Sequence, residues 1–113
     1  MSKRLRHPGA YEAAARERPP DMDDQQLVRI AKALADGTRL GILRTVAKRG
    51  ELCCGEVGRA FDVTQATVSH HLKILADARL IESRREGQFI RLKAVRKTLD
   101  EFRRALGHGF DGT

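Results

Sequence analysis

The chain has 113 residues, the length of one ordinary domain, so it can bury one modest core and has no room for a second catalytic domain. No apolar stretch approaches the roughly 20 residues that cross a bilayer, and no apolar segment of the signal-peptide kind follows the basic N-terminus. Cysteine occurs only as the neighbours Cys53 and Cys54, which excludes a disulfide framework and sets a reducing cytoplasm as the expected location. With 22 Lys and Arg against 15 Asp and Glu, a net charge of +7 and a pI near 10.1, the expected partner is a polyanion. Aromatics are only 4% and Trp is absent, which argues against stacking single-stranded bases and for a duplex.

Residues 1–20 carry Lys3, Arg4, Arg6, Arg16 and Arg18 with few large apolar residues, and Pro19-Pro20 closes the segment, so a flexible basic arm is expected there. The folded domain is expected over 21–106, followed by a glycine-rich tail over 107–113. The first helix opens on Asp21, Asp23 and Asp24, which suit a positive dipole end, and sets Leu27, Ile30, Ala31 and Leu34 on one face. Asp36 caps a second helix with the stripe Leu40, Leu43, Val46 and Ala47, which Gly50 ends. A third helix is expected over 51–61, with Cys54, Val57 and Phe61 facing the core.

After the connector Asp62-Val63, Thr64 caps a fourth helix whose stripe is Val68, Leu72, Leu75 and Ala76, running to about Ala78. Its opposite face begins with Gln65, Ala66, Ser69 and His70. Two short helices around a tight connector, the second exposing small and hydrogen-bonding side chains, form a helix-turn-helix. Such side chains can enter a major groove about 12 Å wide and meet base edges. Residues 80–92 read as a β-hairpin around Glu86-Gly87, with Leu80, Phe89 and Ile90 as anchors. Arg84 and Arg85 lie beside its tip, placed to reach a phosphate or a minor groove. From Arg59 to Arg96, eight cations face four anions, so the positive charge collects around the groove reader. A last helix over 95–106 carries the stripe Val95, Leu99, Phe102 and Leu106.

The run Ala33-Leu34-Ala35-Asp36-Gly37-Thr38-Arg39-Leu40-Gly41-Ile42-Leu43 resembles the ALADPTRLxIL signature of ArsR/SmtB-type bacterial repressors, with Gly37 in place of the usual Pro. Gly50 to Val57 resembles the third helix of that family, and Thr64 to Leu75 resembles its recognition helix. The resemblance covers about 25–106. It implies a mainly α fold of about five helices with a small β-hairpin wing, a winged helix-turn-helix that represses transcription as a homodimer on an inverted repeat of double-stranded DNA. The positions expected at DNA are Thr64, Gln65, Ala66, Thr67, Ser69, His70, Lys73, Arg84 and Arg85. A homodimer is expected to use Leu27 and Ile30 of the first helix with Val95, Leu99, Phe102 and Leu106 of the last.

The family's metalloid pattern in the third helix is E-L-C-x-C-D. Cys53 matches its first cysteine, Gly55 occupies the second, and Cys54 stands where the family usually buries a Val. Two readings follow. The thiols are core filler, or Cys53 and Cys54 sense As(III), Sb(III), an oxidant or a persulfide at a helix start where the dipole favours thiolate. Zinc fits poorly, because Asp100 is followed two residues later by Phe102 instead of the family's His. A thiol enzyme with His70 or His71 as base is disfavoured, since adjacent helical side chains diverge by about 100°. A basic protein binding nucleoid DNA or RNA without sequence preference, and a repressor with no thiol inducer, are the competing expectations.

Overall fold

The computed structural model describes residues 22–108 and 110. The basic arm expected over 1–20 lies outside the described residues, as does most of the expected tail. The elements in order are α1 (Asp24–Ala33), α2 (Gly37–Arg49), β1 (Glu51–Cys53), α3 (Cys54–Phe61), α4 (Gln65–Asp77), β2 (Ile81–Glu86), β3 (Phe89–Ala94) and α5 (Arg96–His108). Among the described residues, five helices accompany a three-stranded antiparallel sheet of order β1-β3-β2. α5 runs on through Gly107 and His108, so the tail expected from 107 begins later.

Three helix starts follow from their caps. The carboxylates of Asp23 and Asp36 accept from the backbone N–H of Gln26 at 2.8 Å and of Arg39 at 3.0 Å, and the Thr64 hydroxyl accepts from the Thr67 N–H at 3.2 Å. Gly50, at φ +89°, lets the chain leave α2 in a conformation other residues rarely adopt. The core gathers Ile30, Ile42, Val46, Val57, Val68, Leu75, Leu80 and Leu92. Gln26 Nε2 donates to the Ala78 carbonyl at 3.1 Å, which fastens α1 to the end of α4, and Arg96 donates to the Ala47 carbonyl at 2.8 Å, which seats α5 against α2.

Several sequence expectations are corrected. Residues 51–53 are a strand where a helix was expected: Leu52 is buried, and Glu51, Leu52 and Cys53 pair with Lys93, Leu92 and Arg91. Cys53 therefore precedes α3 as its N-cap residue, and Cys54 is the first helical residue. The wing turn falls on Gly87-Gln88, one residue later than expected. Phe89 does not anchor the wing, for it is 52% exposed; Leu80, Ile81 and Leu92 do. On the helices, Ala31 and Ala76 are exposed at the edges of the expected stripes, while Ala33 and Ile42 are buried beside them.

Candidate nucleic-acid interface

The close approach of α3 to α4 sets the geometry of the reader. Gly58 is buried, and a Cβ there would stand 2.9 Å from Gln65 Oε1 and 3.5 Å from Val68 Cγ2, so the two helices meet across a hydrogen atom. Asp62 turns the connector in the left-handed region at φ 52°, a conformation Asp tolerates, and the Val63 N–H donates back to the Gly58 carbonyl at 3.2 Å. Val68, Leu72 and Leu75 hold α4 on the core. The result is that Thr64, Gln65, Ala66, Thr67, Ser69, His70 and Lys73 are all exposed along one flank. Among the described residues Lys73 meets only Asp77, at 3.5 Å, a surface pair that leaves it available to a stronger anion.

His71 is unlike its neighbour. It is 8% exposed, and its Nδ1 lies 3.4 Å from Arg39 Nη1, while Arg39 Nε donates to the Ala33 carbonyl at 2.7 Å. The Arg39 backbone N–H, and then its guanidinium, hold the Asp36 carboxyl below the ordinary range. One arginine thus links the end of α1, the cap of α2 and the middle of α4. Neither Arg39 nor His71 stood among the expected site residues. No sequence signal marks them as partners, because they are 32 positions apart.

The wing's two arginines differ. Register places Arg85 opposite Ile90 and Arg84 opposite Arg91, on alternate faces of the sheet. Arg84 lies 3.5 Å from both Glu51 and Glu86, and Arg91 Nε donates to Glu86 at 2.7 Å. Hydrogen bonding from Arg91, with its charge and that of Arg84, keeps the Glu86 carboxyl below its usual range. Arg85 donates to the Gly87 carbonyl, at 3.5 Å. Of the two, Arg85 is the cation without a carboxylate among the described residues.

Cys53 and Cys54 part company at the β1–α3 junction. Strand alternation puts Leu52 on the core face and Cys53 on the outer face, opposite Arg91, close enough that the two interact electrostatically. Cys54 packs against the core, and burial, with Cys53 beside it, pushes its thiol up. Glu56 closes the junction by accepting from the Cys53 N–H at 2.8 Å. Among the described residues, no group of three His, Cys, Asp or Glu side chains converges as a metal site requires.

On the side expected to hold a second copy, Ile30 is fully buried within the single chain and has no surface to offer a partner. Leu27, Val95, Leu99 and Phe102 are half-buried, and Leu106 is 45% exposed. The inward face of α5 is Thr98 and Ala105. Val28, absent from the expected set, is 49% exposed and lines an open groove of about 780 Å³ between α1 and α4. Among the described residues, no helix is long and apolar enough to cross a membrane.

A helix-turn-helix domain family matches residues 34–84, from the end of α1 to the first half of the wing. The arsenical resistance operon repressor of Bacillus subtilis is 46% identical over 56 residues, which are 50% of this chain and 53% of that protein, so the chain spans about half its length. The HTH-type transcriptional regulator MJ1325 of Methanocaldococcus jannaschii is 34% identical over 84 residues, 68% of this chain and 94% of that one. Among solved structures, an ArsR-like transcriptional regulator from Rhodococcus sp. RHA1 superposes with a TM-score of 0.66 at 28% identity, over 73% of this chain and 76% of that one. The homodimeric winged helix-turn-helix DNA-binding domain Mb0332 of Mycobacterium bovis superposes with a TM-score of 0.63 at 26% identity, over 94% and 87%. Similar to one regulator along nearly all of that protein's length, and in its fold to others, the chain belongs to the ArsR/SmtB-type family of winged helix-turn-helix transcriptional repressors, DNA-binding regulators and not enzymes.

Proposed function

We propose that this repressor binds an inverted-repeat operator as a homodimer, with α4 in the major groove and the wing on the flanking backbone, and that a thiol-reactive signal at Cys53 releases it. The observation that carries the reading is the flank of α4. Thr64, Gln65, Ala66, Thr67, Ser69, His70 and Lys73 are exposed together, and the core uses none of them for burial. Gln65 and His70 are the base readers in this scheme. Lys73, Arg84 and Arg85 neutralise phosphates, Arg85 most strongly because no carboxylate among the described residues engages it.

The dimer is supported by the apolar surface that Val28, Leu27, Leu99, Phe102 and Leu106 leave uncovered on α1 and α5, and by the homodimeric state of Mb0332. Two-fold pairing would set the recognition helices about 34 Å apart, one duplex turn. For the signal, Cys53 is the half-exposed thiol on the outer sheet face, whereas Cys54 packs inward. An adduct on Cys53 would disturb its pairing with Arg91, and through Arg91 and Glu86 the charge order of the wing. As(III) or Sb(III) is supported by the similarity to the arsenical resistance repressor, and an oxidant or persulfide by the exposed thiol.

The test starts from a duplex that the protein selects out of a random-sequence pool. Gln65→Ala or His70→Ala should cost about 1–3 kcal/mol per half-site and relax preference at particular base pairs, whereas Arg85→Ala should weaken all sequences alike. With Lys73, Arg84 and Arg85 used twice, log affinity should fall against log salt with a slope near about −5. A slope shallower than about −2 would mean that the basic surface is not the footprint, and no selected sequence at all would favour nonspecific binding. As(III), Sb(III), peroxide and polysulfide are then added to the complex. Release of the wild type but not of Cys53→Ser supports the thiol signal, and equal behaviour of both removes it. Sedimentation as a monomer at micromolar concentration would remove the dimer.

A further inference from the structure

The tip of the wing presents a ring that neither the core nor the ion pairs employ. Phe89 is 52% exposed, beside the Gly87-Gln88 turn, on the sheet face opposite to the one that carries Leu52 and Leu92 inward. Its cross-strand partner Glu86 is engaged by Arg91 at 2.7 Å and by Arg84 at 3.5 Å, so the carboxylate beside the ring is already compensated. Gly87, at φ +64°, closes the turn tightly, and the paired strands hold the ring in place at the tip. An aromatic left half in water forgoes the burial that usually selects one. Between residues 84 and 91, Arg84, Arg85 and Arg91 outnumber the single carboxylate of Glu86, a net charge of +2 on the wing tip, with Arg84 and Arg91 on the ring's face of the sheet and Arg85 on the other.

A flat apolar wedge at the tip of a hairpin that is cationic as a whole is complementary to a polyanion with a flat apolar interior, which is the base stack of duplex DNA. We propose that Phe89 is a wedge that enters the minor groove flanking the site read by α4 and partly unstacks one base step in each half-site. Arg85, on the opposite face of the hairpin, provides the cation for the far groove wall. Apolar side chains inserted in this way kink the duplex, and pyrimidine–purine steps yield most easily. Phe89 therefore adds sequence preference at a flanking position that α4 does not touch, which makes it a specificity-determining residue. This rests on the DNA-binding reading above and deepens it.

The experiment uses the full chain and the duplex selected by the wild type, with 2-aminopurine placed in turn at each flanking step. Wild-type binding should raise the fluorescence at one step per half-site. Phe89→Ala should abolish that rise, weaken binding about tenfold and flatten the preference at that step. It should leave the salt slope and the preferences read by α4 unchanged. Phe89→Leu, which keeps an apolar wedge, should retain most of the affinity, and Arg85→Ala should lower the salt slope and leave the flank preference in place. Unchanged affinity and flank preference in Phe89→Ala, on a duplex that the wild type binds specifically, overturns the wedge and leaves the DNA reading standing. A loss in Phe89→Ala accompanied by a lower thermal midpoint also overturns it, because the ring is then structural. If the wild type selects no duplex, both readings fall together.

Discussion

The helical centre and the wing are held by different forces. Ile42, Val46, Val57, Val68 and Leu75, on α2, α3 and α4, are each no more than 1% exposed, so apolar burial fixes that region. In β2 only Ile81 is buried. Glu82, Ser83, Arg84, Arg85 and Glu86 are in water, and the hairpin stands on its backbone ladder and on the pairs among Arg84, Glu86 and Arg91. The close-packed part orients α4 with little tolerance for error, while the wing keeps its charges at the surface, where, in the proposed scheme, a phosphate or a modified thiol would rearrange them.

The contrast breaks first if core and wing truncations cost the same. Leu75→Ala should destabilise the fold by about 3 kcal/mol and lower the thermal midpoint by more than about 10 °C, because it empties a site closed on every side. Next comes a steric test of the centre. A Cβ at Gly41 would stand 2.9 Å from the edge of the Phe61 ring, so Gly41→Ala should cost about 1 kcal/mol in chemical denaturation even though Ala favours the helix. A gain in stability would show that Phe61 packs loosely.

The smallest effect belongs to the wing and is electrostatic. Glu86 has its carboxyl lowered in the folded state, so its pairing with Arg91 contributes fully above the ordinary carboxylate range and is lost only as pH falls through the lowered value. Wing stability should therefore be flat across neutral pH. In Arg91→Gln the Glu86 carboxyl should titrate closer to an unpaired glutamate in an NMR titration. An unmoved titration would mean that the pair does not persist in solution.

Elements announced by local chemistry were legible in the sequence. Asp36 and Thr64 cap their helices as their neighbours require, and the α4 flank from Gln65 to His70 was readable because its helix had to bury Val68, Leu72 and Leu75. β1 was not legible. A strand of three residues is too short to show alternation, and its partner, β3, lies some forty positions away, so a run of cysteines next to a helix reads as helix. Phe89 was misplaced by hydrophobicity alone. The period of two along β3, with Leu92 and Ala94 inward, already puts it on the outer face with Arg91 and Lys93. The Arg39–His71 contact depends on how three helices cross, which no local pattern encodes.

Two successive histidines live under opposite rules of inheritance. His70 is exposed, and in the proposed scheme it reads a base, so a substitution there would change the address and leave the fold alone. His71, its ring centre 5.9 Å away, is buried against Arg39, so a change there disturbs α1, α2 and α4 together. If the proposed scheme holds, the first position can be changed to retarget the protein, while a change at the second is paid for by the integrity of the domain.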